Sequence, residues 1–290
     1  MIQSNKPKTM KKLMLLLIVA TSMTFCNDAK KSEDTPNNEE MIPVEGDGGI
    51  GDGAPSLENA FAQSVEKEHN KSHFISHKAI SYDLHVGFKG SEPLDAKVTM
   101  LTNSSKIKMV FKDSSAVIYD GKNVYVTPET SEKPMARFNI FTWPYFFALP
   151  FKLTDPGTKW SNLEQMDVNS NPYSRAKLTF ENNTGDSADD WYWVYVDNKT
   201  NLLSYASYIV TFGSDVKKAE QNPHAIVYSN YTVIDDIPMA DEWKFYNWSQ
   251  EKGLYGDPIG DATLRNIQFL DDADFSVPKN SKTVEMPTKK

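Results

Sequence analysis

The sequence predicts an all-β, mainly antiparallel domain: a strongly curved meander or unclosed β-barrel, with one helix before it and a short helical lid. Three observations predict this. Some ten segments alternate apolar and polar side chains with a period of two, as half-buried strands do. Short turn signals such as Asp120-Gly121-Lys122 join many of them. A sheet of that many strands seldom stays flat, so it curls and acquires a concave apolar face.

The first residues are of another kind. Lys6, Lys8, Lys11 and Lys12 precede an apolar run from Leu13 to Ala20, and the only cysteine, Cys26, follows the small polar stretch TSMTF. That order marks residues 1–25 as a secretory signal, and the run is far shorter than the ~20 residues a membrane-spanning helix needs. A cysteine at this point, followed by NDAKKSEDTPNNEE, resembles the lipidation signal of bacterial lipoproteins, with Cys26 acylated, although Met23 and Phe25 replace the leucine-like and small residues of the usual pattern. A single cysteine allows no disulfide within the chain. Residues 27–55 hold eight acids against two lysines and end in EGDGGIGDGAP. Such a composition cannot bury enough apolar surface to order itself, so 26–55 reads as a disordered acidic, glycine-rich tether. Removing residues 1–25 takes away four lysines and no acid, so the net charge of −8 becomes −12. An acidic surface without a basic cluster repels phosphate backbones and argues against a nucleic-acid partner. Residues 56–280 then form one domain, read as a monomer, and 281–290 a disordered tail.

Within that domain, Pro55 and Ser56 open a helix expected to run to about His69, with Leu57, Phe61 and Val65 along one face. From Ile80 to Phe88 the period changes to two. It returns in KIKMVF, SAVIYD, NVYVTPE, SRAKLTFEN, DWYWVYVD, LLSYASYIVTF, AIVYSNYTVI, EWKFYNW and TLRNIQFL. Asn198-Lys199-Thr200-Asn201 is another hairpin loop. DWYWVYVD carries Trp191, Trp193 and Tyr195 on one face and Tyr192, Val194 and Val196 on the other, so both faces are expected to be covered.

The stretch FNIFTWPYFFALPF, Phe138 to Phe151, contains seven aromatics and two prolines. Five buried aromatics are worth ~10 kcal/mol together, so something apolar must cover them. Pro144 and Pro150 are expected to forbid a long helix or a central strand. The segment is therefore read as a short helix near Tyr145–Leu149 that forms a lid over the concave face. The residues expected to line the lid and cavity are Phe138, Ile140, Phe141, Trp143, Tyr145, Phe146, Phe147, Leu149 and Phe151, with Trp191 and Trp193 from the sheet.

Catalytic patterns are scarce: there is no Gly-x-Ser-x-Gly, His-Glu-x-x-His or phosphate loop. His69, His73 and His77 are spaced to share one helical face and chelate a metal, but the expected helix end at Asn70 favours a solvated connection. The carboxylate pairs at Asp189, Asp235 and Asp271 fit turns better than acid–base work. No catalytic residue, metal or cofactor is expected.

The order of a helix, YDGKNVYVTPE, the hydrophobic insertion, WYWVYVDNKTNLLSYASYIV, YTVIDDIPMADEWKFYNW and FSVPKNS resembles the periplasmic lipoprotein-carrier (Lol-like) superfamily and its uncharacterised lipoprotein relatives, over roughly Leu57 to Lys279. The resemblance implies an unclosed barrel with a helical lid over an acyl-binding cavity. It implies a lipid or the acyl chain of a lipoprotein as partner, and an outer-membrane-anchored protein of a Gram-negative envelope, held through Cys26. The alternative is a surface scaffold or glycan-binding lipoprotein whose aromatic stretch is core.

Overall fold

The computed structural model describes residues 54–168, 170–182 and 184–287. The expected signal segment, Cys26 and all but the last two residues of the tether lie outside them. Helix α1, Leu57–Glu68, starts where expected: the Ser56 hydroxyl accepts the Asn59 N–H at 3.2 Å. Phe61 and Val65 are buried, but Leu57, expected on the same face, is 76% exposed. The connection after it is not a solvated turn. Asn70 takes a left-handed conformation and a second helix follows, α2, Lys71–Ser76, anchored by the fully buried Phe74.

Thirteen strands form one antiparallel sheet: β1 Ala79–Phe88, β2 Leu94–Leu101, β3 Ile107–Phe111, β4 Ala116–Tyr119, β5 Val124–Thr127, β6 Thr158–Val168, β7 Asn171–Phe180, β8 Tyr192–Asp197, β9 Leu203–Tyr208, β10 His224–Ile234, β11 Ile237–Ser249, β12 Gly253–Leu270 and β13 Lys282–Val284. Their spatial order is β13-β5-β4-β3-β2-β1-β12-β11-β10-β9-β8-β7-β6, so the sheet is not closed. The residues expected in a disordered tail include β13, which pairs Lys282 with Val126 and Val284 with Val124.

The sheet is the expected curved, unclosed antiparallel one, built from two meandering halves. The chain runs outward from β1 to β5, crosses to the opposite edge at β6, and returns inward until β12 pairs with β1. The crossover holds helix α3, Ala136–Ala148, and a 3-10 turn, Leu149–Phe151. Inward residues of both halves, Val98, Met109 and Val117 from one and Leu178, Val194 and Ile226 from the other, join a single apolar cluster with α3. That common cluster requires the sheet to wrap around the crossover. A short helix α4, Val216–Ala219, lies between β9 and β10 and is capped by Asp215.

Where the Phe88 ring crosses β12, only glycine fits. A Cβ at Gly260 would lie 2.5 Å from Phe88 Cδ1 and 2.6 Å from the Gly87 carbonyl oxygen.

Candidate functional site

Helix α3 is predominantly apolar and carries no clean polar stripe, and Ala136, Ile140, Trp143, Pro144 and Phe146–Ala148 are buried. Packing overrides the helix-breaking tendency of Pro144, so the helix begins nine residues earlier than the sequence suggests, at Ala136. The backbone is satisfied locally. Pro150 has no N–H to offer the Phe146 carbonyl four residues earlier, and the Tyr228 hydroxyl donates to that oxygen at 2.9 Å. The Trp143 indole N–H donates to Asn139 Oδ1 at 3.0 Å.

The two sides of α3 meet different surroundings. Ile140, Trp143 and Phe147 pack into the sheet, with Phe147 against Tyr82 at 4.5 Å and Trp143 against Phe245 at 5.8 Å between ring centroids. Leu149 and Phe151 continue this layer, Phe151 stacking on Phe74 at 3.9 Å. These five residues, expected around a cavity, fill the interior. Phe138, Phe141, Tyr145 and Phe146 instead border a cavity of about 520 Å³ that is open on one side. Its opposite wall is Phe180, Tyr192, Tyr208 and Phe212, with Ile107 and Tyr119 from the other half of the sheet. Tyr145 approaches Tyr192 at 5.6 Å, Phe146 approaches Tyr208 at 4.9 Å and Phe141 meets Tyr119 edge-on at 5.0 Å.

The other two expected residues lie elsewhere. Trp193 belongs to a second cluster on the outer face, with Tyr195, Tyr205 and Trp248, and Trp191 packs against it. Arg175 covers Trp193 at 4.5 Å from the ring and bonds the Tyr195 hydroxyl at 2.8 Å. The strand has the expected two covered faces, but Tyr192 is on the cavity side and the tryptophans are not. The pairing of Tyr192 with Tyr208 and of Trp193 with Ser207 fixes that assignment. Tyr192 could have been found only by phasing β8 against β9.

The floor of the cavity is aromatic and its rim is charged. Arg137 at the start of α3 reaches Asp186 in the β7–β8 loop with Nε–Oδ2 2.5 Å and Nη2–Oδ1 2.9 Å, and its Nη1 donates to the Val284 carbonyl at 3.2 Å. Lys152 pairs with Asp155 at 2.7 Å, and Lys122 completes the basic part of the rim. Asp190 Oδ1 accepts from both the N–H and the hydroxyl of Thr211 at 2.7 Å. Burial, reinforced by nearby aspartates, raises Tyr145, Tyr192 and Tyr208 well above the usual phenol range, so they stay neutral. The Tyr145 hydroxyl is buried without a hydrogen-bond partner among the described residues.

The three histidines separate. His69 is fully buried and its Nε2 accepts the Leu203 N–H at 3.0 Å. Desolvation pushes its imidazole down to about 4, against the smaller raising effect of the Pro238 carbonyl. His73 and His77 meet Asp235 at the β10–β11 turn, away from the cavity.

The family of unknown function DUF6503 matches residues 106–257, just over half of the chain. No curated protein matches. Among solved structures, a LolA superfamily protein from Nitrosomonas europaea superposes with a TM-score of 0.50 at 11% identity, over 74% of this chain and 97% of that one. A domain assigned to outer membrane lipoprotein sorting from Vibrio parahaemolyticus (TM-score 0.45, 10% identity, 72% and 95% covered) is also similar. So is a DUF1329 family protein from Desulfovibrio piger (TM-score 0.40, 11% identity, 73% and 92% covered). At these identities the likeness is one of fold: the sheet is an unclosed barrel like that of the LolA superfamily protein from Nitrosomonas europaea.

Proposed function

The chain belongs to the family of unknown function DUF6503, and from the shape of its barrel and the cavity within it we propose a non-catalytic protein that binds a lipid, or the acyl part of a lipoprotein, in that cavity. The observation that carries this reading is the half-open cavity of about 520 Å³, with an aromatic floor and a charged rim. Its volume is in the range of small-molecule sites, and the polarity suits an amphiphile: hydrocarbon against Phe138, Phe141 and Phe212, head group beside Lys122 and Lys152. Each buried methylene contributes ~0.8 kcal/mol without a specific polar contact, so ten give ~8 kcal/mol before the cost of association.

The rest of the reading follows from the sequence. Cys26 carries the lipid anchor, residues 26–55 are the tether, and the residues from 56 through β13 are one domain held as a monomer at the outer membrane of a Gram-negative envelope. An anchored acceptor or lipid-binding surface protein fits better than a free shuttle, because an acylated Cys26 holds the chain to the membrane.

The test is native mass spectrometry of the full chain carrying Cys26→Ser, which separates a bound lipid from a covalent one, followed by organic extraction. A co-purified phospholipid or fatty acid that is lost in Thr142→Trp, a cavity-filling variant with unchanged circular dichroism, supports the proposal. A clean apo mass that ignores added fatty acids and lipopeptides overturns it.

A further inference from the structure

Where α2 meets the β10–β11 turn, three ligating side chains converge. His73 Nε2 lies 3.2 Å and His77 Nε2 2.9 Å from the same oxygen, Asp235 Oδ2, and the three ligand atoms all lie within 4.8 Å of one another. We propose that His73, His77 and Asp235 form a binding site for one divalent transition-metal ion of the zinc class, bridging α2 to the β10–β11 turn. None of the three lines the cavity, so the site stands independently of lipid binding.

The chemistry of the donor set selects the ion. Two imidazoles and a carboxylate suit Zn²⁺, Ni²⁺ or Cu²⁺, whereas Ca²⁺ and Mg²⁺ take oxygen ligands. With metal–ligand bonds of ~2.0–2.2 Å, donors that share a four-coordinate ion sit ~3.4 Å apart. The two His–Asp spacings, 3.2 Å and 2.9 Å, lie within about half an ångström of that value, and the two imidazole nitrogens lie within 4.8 Å of each other. A proton satisfies the cluster less well. His73 makes a hydrogen bond to Asp235, but His77 Nε2 is buried without one despite its 2.9 Å approach, because the geometry of the contact is not that of a donor aimed at an acceptor. An ion set off the N···O line would use both atoms.

The three ligands are held by rigid elements. His73 lies in α2, and His77, four residues on, caps its C-terminal end with an extended backbone. His77 stacks on Phe269, with centroids 3.7 Å apart and planes 14° apart. Asp235 and Asp236 both have positive φ, 50° and 58°, the backbone of a two-residue turn closed by the Ile234–Ile237 pair. Asn70 Nδ2 donates to the Asp236 carbonyl at 3.1 Å and ties that turn to the start of α2. The His73 and Asp235 side chains are 39% and 52% exposed, so an ion can approach from their side, and the buried His77 Nε2 meets it once the Asp235 carboxylate shifts aside.

The experiment is titration of the full chain carrying Cys26→Ser, which removes the only thiol, with ZnCl₂ in a non-chelating buffer, read by calorimetry and by the visible spectrum of the Co²⁺ form. The expected result is one ion per chain with micromolar or tighter affinity. It should weaken at least about tenfold in both His77→Ala and Asp235→Asn and be unchanged in His85→Ala, all four proteins showing the same circular dichroism. Absence of saturable binding, or binding unaltered in His77→Ala and Asp235→Asn, overturns the proposal.

Discussion

The Tyr228 hydroxyl donates 2.9 Å to the Phe146 carbonyl, the oxygen to which Pro150 has no N–H to offer. A residue on β10 thus completes the hydrogen bonding of the crossover helix. Both groups are buried, so removing the hydroxyl strands a carbonyl in an apolar interior. Tyr228→Phe is expected to cost about 1–3 kcal/mol in urea unfolding. A change within a few tenths would mean that the carbonyl finds another partner.

The Arg137–Asp186 pair makes a second prediction. It joins the start of α3 to the β7–β8 loop at the cavity rim, and each side chain is only 17% exposed. Asp186→Asn is expected to destabilise the domain by about 2 kcal/mol by leaving a half-buried guanidinium without its counter-charge. Arg137→Lys should not behave like the parent, because an ammonium cannot hold both carboxylate oxygens and the Val284 carbonyl together. Equal melting temperatures for parent and lysine variant would refute the two-pronged role.

The third concerns acid. His69 titrates near 6.5 when unfolded and at about 4 when folded. Between those values the unfolded chain binds more protons, so this contribution to stability is complete above pH 6.5 and is lost as pH falls toward 4. The loss reaches about 3 kcal/mol by pH 4. In His69→Gln, whose side-chain oxygen can still accept the Leu203 N–H, the urea midpoint should fall less between pH 7 and pH 4 than in the parent. Parallel profiles would show that other groups govern the acid limb.

Much of the fold was legible because β1, the β4–β5 hairpin and the β8–β9 hairpin carry clear alternation and turn chemistry. β6 was not, since it lies at the sheet edge with most side chains in solvent and carries a left-handed Asn162 at a register shift. The first half of β12 was hidden by Gly256, Pro258 and Gly260, residues that normally interrupt strands. Within α3, Pro144 pointed to a break that burial overrode. The cavity was half legible. Its Phe138, Phe141, Tyr145 and Phe146 wall came from the aromatic stretch, whereas Tyr192 and Phe212 depend on which face of the sheet turns inward. The meeting of His73 and His77 with Asp235 could not be read at all, because it joins distant segments.

The pairing of β1 with β12 sets the order in which the molecule can be made. Leu84 lies opposite Leu264, so one edge of β1 stays without its neighbour while nearly the whole chain is being synthesised. A nascent chain that stops before residue 253 presents that edge as a template for pairing with other chains. The barrel therefore forms only after its last long strand has emerged, and such non-local closure is slow compared with the local hairpins on either side of it.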